Sequence, residues 1–385
     1  MQRRKVLIIG MFDSIHLARW LFQFENQQID FVLFPSKKFK YISFELLKLT
    51  TSTKTATYRF AKPYFTFKHI GFFDHFFGLI LKRIGMNLKL IFLKSVIQRN
   101  TFNFIHAVEI QGAAYLYDSL PKHIQKRTTL IITNYGSDIQ YFQNIPDHQE
   151  KIRSVLSKAD FYSAECQRDY ELALKFGFTG EFFPCIPNAG GFHNDVFVKN
   201  IVPSNDRYLI VAKCYGGTFG LGGLIIDALE IFLRVNPEVR IVIHSVTDDL
   251  REKSKNLLIA FPNRVVIYTV QEKIQRDKII DYLSKARVYI GASRSDGIST
   301  SFLEALCLGA YPIQTDTSCA SEWIDMGFFG SIIPPDSAEI LNALNLSYFD
   351  KELDGKRIQN LENAKLHLSY DSVKSQSFKF YETRA

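Results

Sequence analysis

Short apolar β-runs alternate with helical patterns along most of the 385 residues. That alternation dictates parallel sheets. Two parallel strands cannot be joined by a tight hairpin, and a helix is the usual crossover. In the first half the pattern predicts strands at 5–10, 31–35, 104–108, 129–133 and 160–164. Helices are predicted at 15–25, 111–119, 147–157 and 166–176. Pro184-Cys185-Ile186-Pro187-Asn188-Ala189-Gly190-Gly191 and the polar stretch up to Asp206 then read as a linker. The alternation restarts after it, with strands at 208–213, 239–244, 265–269, 288–292 and 311–315. Helices are expected at 223–233, 251–260, 273–285 and 301–308. The last twenty residues, with Phe378, Phe380 and Tyr381, read as a terminal amphipathic helix. The expected architecture is α/β: a doubly wound parallel-sheet domain over 1–195, a second over 205–365, and residues 366–385 packing back on the first. Ligands of such sheets bind beyond the carboxyl ends of the strands, so a cleft between the two domains is the expected site.

Composition narrows the class further. With 46% hydrophobic and 22% charged residues the chain can bury a core, which excludes a disordered or low-complexity protein. Five Cys (166, 185, 214, 307 and 319) form no C-x-x-C pair. A disulfide scaffold or zinc ribbon is not expected, and a reducing cytoplasm is. Behind the basic opening Arg3-Arg4-Lys5 only Val6 to Ile9 are apolar, too short for a signal sequence. Residues 70–97 are apolar but interrupted by Asp74, Lys82, Arg83, Lys89 and Lys94, whereas a membrane span needs about 20 mostly apolar residues.

Charge is lopsided. Residues 1–100 carry a balance of +12 and the remaining 285 a balance of −4. From Leu46 to Phe73 there is no carboxylate, while Lys48, Lys54, Arg59, Lys62 and Lys68 alternate with Tyr58, Phe60, Tyr64, Phe65 and Phe67. A fold does not require this; it is either a solvated basic face or the footprint of an anionic partner. An anionic membrane surface suits the mixture best, since each Lys or Arg contributes about 1 kcal/mol there and aromatic rings anchor among headgroups. Nucleic acid is not expected, because no helix-turn-helix, zinc-finger or RNP pattern accompanies the charges.

The stretch carrying the chemistry runs from Ser293 to Glu322, SRSDGISTSFLEALCLGAYPIQTDTSCASE. A strand ends, a polar loop follows, and a helix begins near Ser301. Gly297, Ser299, Thr300 and Ser301 surround its N-terminus, where free backbone N–H groups and the positive end of the helix dipole suit a phosphate. Glu304, one turn in, can accept hydrogen bonds from the hydroxyls of a ribose. Asp296 can do the same for a sugar beyond the phosphates. Ser301-x-x-Glu304 also fits a capping box, with Gly309 as an ordinary helix stop.

Asp296-x7-Glu304, followed by Ala305-Leu306 and Gly309-Ala310-Tyr311-Pro312-Ile313, resembles the E-x7-E signature of retaining GT-B glycosyltransferases of family 4, the group 1 glycosyl transferases. Ser318 to Glu322 resembles the loop after it. In the first half, residues 10–20 (Gly10, Ser14, His16 and Arg19 among them) are similar to the family loop that shapes the acceptor side and approaches the donor diphosphate, and 106–111 and Asn134 to Asp138 resemble the loops after two later strands of its N-terminal domain. The resemblance implies two Rossmann-like domains and metal-independent transfer of a sugar from a UDP- or GDP-sugar with retained configuration. It gives Glu304 the ribose, Asp296 the sugar hydroxyls, and the amides of Thr300 and Ser301, with Ser299, Gly297 and Gly217 nearby, the diphosphate. Lys213 would neutralise the leaving diphosphate, and Asp138 would join Asp296 and Lys213 in catalysis. Ser14, His16, Arg19, Glu109 and Gln111 would line the acceptor side. The acceptor implied is a lipid-linked precursor of a surface polysaccharide such as lipopolysaccharide or capsule, at the inner face of the cytoplasmic membrane.

Three departures from that pattern stand out. Asp296 is one methylene shorter than the usual Glu. Lys213 is followed by the glycine-rich run 216–223 without the second cation that the family places there. The family's His after the strand holding His106 is replaced by Val108, so His106 reads as a core histidine. The glycine run is no P-loop, since no Gly-Lys-Ser/Thr closes it. No H-E-x-x-H or zinc spacing occurs among the nine His, and no cofactor or metal is expected. Two other readings share the fold: a nucleotide-sugar 2-epimerase, and a non-catalytic subunit that binds nucleotide-sugar or membrane.

Overall fold

A computed structural model of the chain describes residues 3–62, 87–125, 128–198, 203–272 and 274–382. It divides into two compact units, Met1–Gly190 with Lys374–Ala385, and Gly191–Val373.

Unit one is built on a seven-stranded sheet of order β3-β2-β1-β4-β5-β6-β7. Its strands are β1 (Arg4–Gly10), β2 (Ile29–Pro35), β3 (Thr57–Phe60), β4 (Phe104–Val108), β5 (Thr129–Thr133), β6 (Phe161–Ser163) and β7 (Glu181–Phe182). Every pairing is parallel. In the central strands Val6 to Ile9 and Phe104 to Val108 are buried without alternation, as a sheet covered on both faces requires. Unit two has a six-stranded parallel sheet of order β10-β9-β8-β11-β12-β13. Its strands are β8 (Leu209–Lys213), β9 (Arg240–Val246), β10 (Val265–Thr269), β11 (Ala286–Gly291), β12 (Tyr311–Thr315) and β13 (Ser331–Ile333). In each sheet the winding reverses once, between β1 and β4 and between β8 and β11. In open α/β sheets ligands bind outside the carboxyl ends of the strands at such a reversal.

Several elements escape the sequence patterns. β7 and β13 have two and three residues, too few for a period to register. The helix Phe44–Thr50 and β3 fall in the basic, aromatic stretch. There Tyr58 stacks on Phe31 with ring centroids 5.2 Å apart, and Phe60 meets Phe12 at 5.2 Å. The Tyr58 ring belongs to the core and Phe60 is half-buried, whereas Lys48, Lys54, Arg59 and Lys62 are exposed. Residues 63–86, including Lys68, Tyr64, Phe65 and Phe67 and most of the apolar run 70–97, lie outside the described residues.

The end of the chain is not one helix. Leu353–Leu368 is interrupted at the extended Ser369, Tyr370–Ser377 follows, and a 3-10 turn spans Phe378–Tyr381. The bridge between Phe192 and Ser369 accounts for the interruption. The final turn packs into unit one. Phe380 stacks on Phe183 at 4.0 Å, and the Tyr381 hydroxyl lies 2.7 Å from His106 Nδ1. His106 Nε2 lies 2.6 Å from Thr133 Oγ1, and burial lowers its pKa to about 3. It is a core residue.

Candidate functional site

In unit two the site grows from the reversal between β8 and β11. Lys213, the last residue of β8, stands in register with Gly291 of β11 on one side and His244 of β9 on the other. Its ammonium lies 5.2 Å from the centroid of the Tyr215 ring. Burial, and after it the Asp296 carboxylate, push the Tyr215 phenol above its ordinary pKa. Lys213 and Asp296, eighty-three positions apart in the chain, thus share one aromatic neighbour. The loop after β8 and the loop after β11 are joined by backbone: Gly220 bridges Ser293, and Arg294 N–H donates to Phe219 O at 2.7 Å. Thr315, at the end of β12, fixes the second loop through Ser293 N–H at 3.1 Å, and Cys319 N–H donates to Gly297 O at 2.7 Å.

The loop delivers the chain to the helix Thr300–Leu308. Its cap is Ser299, whose backbone is extended and whose side chain makes no capping bond. Among the described residues, no group accepts a hydrogen bond from the backbone N–H of Thr300 or Ser301. The opposite end is closed. Gly309 takes φ 71°, which favours glycine, and Ala310 N–H reaches back to Ala305 O at 2.9 Å. The Gly309 carbonyl receives Arg357 Nε at 2.5 Å and Arg207 Nη1 at 3.3 Å. Two guanidinium groups therefore neutralise the negative end of the helix dipole, and the positive end remains directed at the loop.

Glu304 is the fifth residue of this helix, too deep for a capping box on Ser299. Its buried carboxylate pairs with Arg276 instead: Oε1 accepts from Nε at 3.2 Å and from Nη2 at 3.1 Å. Its other oxygen, Oε2, accepts no hydrogen bond from the described residues. The glycine run is engaged internally. Gly216 N–H donates to Thr247 Oγ1 at 2.9 Å, and Gly217 N–H donates to Asp249 Oδ2 at 2.9 Å. A Cβ on Gly216 would meet the Asp249 carboxylate at 2.0 Å, so a larger residue there would displace that side chain from the loop. The Gly217 amide thus serves the loop itself.

A second polar cluster lies in unit one, at the carboxyl ends of β1, β2, β4 and β5. Glu109 follows β4 with φ 104°, a strained conformation for a residue with a side chain, and a π-helical turn Ile110–Ala114 comes next. Its buried carboxylate accepts from Ser36 Oγ at 2.5 Å and pairs with Lys37 at 2.7 Å. Asp138 accepts from Ile110 N–H at 2.9 Å and from Tyr135 N–H at 3.2 Å, and Gln111 Nε2 donates to the Asp138 carbonyl at 2.7 Å. Burial, and after it the charge of Glu109, raise the Asp138 pKa to about 7. Ser14 caps the helix Ile15–Phe22 by accepting from His16 N–H at 3.2 Å, and His16 and Arg19 are half-buried on that helix.

The structure thus unites Lys213 and Asp296 around Tyr215, and Glu109, Gln111 and Asp138 around the strained turn. The sequence reading missed Arg276, Ser36 and Lys37. Only the position of Arg276, at the start of a helix where its charge opposes the dipole, signals a special role. It also missed His244, buried beside Lys213, whose pKa burial and then the Lys213 charge lower to about 3.

Residues 223–365 match the family described as Glycosyl transferases group 1, and the match contains Asp296 and Glu304. Sequence comparison with curated proteins gives no match. Whole-chain structural comparison gives GT-B proteins. HepE of Anabaena, solved with UDP and glucose, is 14% identical with a TM-score of 0.68, over 98% of this chain and 99% of that one. Sucrose-phosphate synthase of Thermosynechococcus elongatus is 12% identical with a TM-score of 0.66, over 98% of each chain. The trehalose 6-phosphate synthase of Burkholderia multivorans is 10% identical with a TM-score of 0.67, over 99% of each chain. The fold is GT-B, with two parallel-sheet units.

Proposed function

We propose that this protein transfers a hexosyl group from a nucleoside diphosphate sugar, UDP- or GDP-linked, to a hydroxyl of a glycan acceptor, with retention and without a metal. The observation that carries the reading is the helix Thr300–Leu308. Its first-turn amides are unengaged by the described residues, and its buried Glu304 keeps one oxygen for a ligand. That HepE is solved with UDP-glucose supports the donor class.

In this reading the amides of Thr300 and Ser301 hold the diphosphate, Glu304 takes the ribose and Asp296 the hydroxyls of the sugar. The nucleoside diphosphate leaves as negative charge develops on its terminal oxygen. Fixed donors and the Lys213 ammonium directed there stabilise the transition state more than the ground state. The departing phosphate oxygen takes the proton of the incoming hydroxyl, so no protein nucleophile is needed. Glu109 and Gln111, with Ser14, His16 and Arg19, serve the acceptor, and Asp138 takes part in catalysis.

The acceptor we propose is a lipid-linked surface-glycan precursor at the inner membrane face, with the protein peripheral there. In support, Tyr41, Phe44 and Leu47 are exposed beside the exposed Lys38, Lys40 and Lys48, and no helix among the described residues is long and apolar enough to cross a membrane.

A thermal-shift screen against UDP-, GDP-, ADP- and CMP-sugars tests the donor. A bound donor at a hundredfold excess over Kd stabilises by about 2.7 kcal/mol. One selective shift, abolished by Glu304→Ala, is expected; no shift with any of them refutes the reading. The lone cation of the 213–223 stretch favours one second reading, a non-catalytic nucleotide-sugar-binding subunit. Slow hydrolysis of the bound donor without acceptor would exclude it.

A further inference from the structure

We propose that Arg276 is a positioning residue of the donor site: it fixes one oxygen of the Glu304 carboxylate so that the other reads the ribose hydroxyls of a nucleoside diphosphate. This rests on the reading of Thr300–Leu308 as the donor-binding helix.

Arg276 is the first residue of the helix Arg276–Lys285. A cation there opposes the helix dipole, and Asp277 in the same turn and Lys278 after it balance each other. Something outside the helix must make the position favourable, and Glu304, twenty-eight residues away, does. The geometry of the pair is unequal. Nε and Nη2 both converge on Oε1, at 3.2 and 3.1 Å. A parallel fork would have placed one donor on each oxygen and consumed the carboxylate. Convergence on one oxygen locks the carboxylate plane and leaves Oε2 without a donor among the described residues.

The burial of the two partners is unequal too. The Glu304 side chain is 7% exposed and that of Arg276 is 37% exposed. A buried carboxylate without a cation is costly and tends to take up a proton or turn away. A protonated or turned Glu304 would not present two lone pairs to a diol. The guanidinium therefore acts on the ligand through Glu304. The expected signature is specific. Arg276 governs discrimination at the ribose, while the phosphate-binding amides of Thr300 and Ser301 act independently of it.

Titration calorimetry with UDP against 2′-deoxy-UDP, and GDP against 2′-deoxy-GDP, tests this. Loss of one hydrogen bond to a charged acceptor costs the deoxy ligand about tenfold in wild type. Arg276→Ala is expected to bring the two affinities within about twofold, chiefly by weakening the ribonucleotide. Arg276→Lys, which keeps the charge, should restore part of the preference. Glu304→Gln should lose it whether Arg276 is present or not. An unchanged tenfold preference in Arg276→Ala overturns the positioning role, and so does an equal loss of both ligands, which would make Arg276 a general anchor. Wild type that binds neither ribonucleotide, or binds the ribo and deoxy forms equally, overturns the donor-site reading itself. All variants are compared at matched ligand-free thermal midpoints.

Discussion

Asp138 offers a quantitative test of the buried cluster in unit one. Its folded pKa of about 7 stands above its ordinary 3.8, through burial first and the charge of Glu109 second. The N–H groups of Ile110 and Tyr135 and the charge of Lys37 oppose the rise. A group whose folded pKa is raised contributes stability fully below its unfolded pKa, and that contribution is lost as pH climbs through the folded value. Between pH 3.8 and 7 the unfolded chain has released a proton that the folded chain keeps. Stability therefore falls by about 1.4 kcal/mol per pH unit from this group alone, on the order of 4 kcal/mol over the window. Asp138→Asn cannot ionise, yet its side-chain oxygen can still accept from Ile110 and Tyr135. Urea unfolding at pH 5, 6, 7 and 8, followed by fluorescence of Trp20 in a Trp323→Phe background, reads unit one. The variant should gain on the parent by about 1.4 kcal/mol per unit from pH 5 to 7, and the gap should then level off. Parallel curves would refute the account of Asp138 as a carboxyl kept protonated to neutrality.

Other perturbations follow from the same geometry. Lys213→Met should lower kcat by about a hundredfold while leaving nucleotide-sugar affinity near the parent value; loss confined to KM would contradict its role at the leaving group. Gly309→Ala places a Cβ at φ 71° and should cost about 1–2 kcal/mol in denaturant unfolding of unit two, and an unchanged midpoint would contradict the described helix stop. Flotation with anionic liposomes should lose bound protein at high salt and in the Phe44→Ser, Leu47→Ser double variant; indifference to lipid charge would remove the membrane from the proposal.

The sequence made the doubly wound architecture legible because the central strands are unbroken apolar runs: Val6 to Ile9, Ile210 to Ala212 and Val288 to Ile290 admit few other structures. It made the helix Thr300–Leu308 legible because a polar loop, an apolar helix and Gly309 follow in order. Where a residue's meaning depends on partners far along the chain, the pattern was silent. Nothing local ties Arg276 to Glu304, or Ser36 and Lys37 to Glu109. The capping-box spacing of Ser301 and Glu304 gives way because the cap is Ser299, two residues earlier, which puts the carboxylate beyond its reach. Tyr58 reads as a surface aromatic from its basic neighbours, yet β3 is an edge strand whose inward residue stacks on Phe31, while Arg59 beside it faces out. The terminal segment carries a helical period, but the bridge to Phe192 splits it at Ser369.

A crystal structure of the protein soaked with UDP, or with GDP if the thermal screen selects it, tests the central claim most directly. The account predicts the diphosphate on the amides of Thr300 and Ser301 and the ribose hydroxyls within hydrogen-bond distance of Glu304 Oε2. Nucleotide density elsewhere, with the amides of Thr300 and Ser301 unoccupied at saturating ligand, would contradict it.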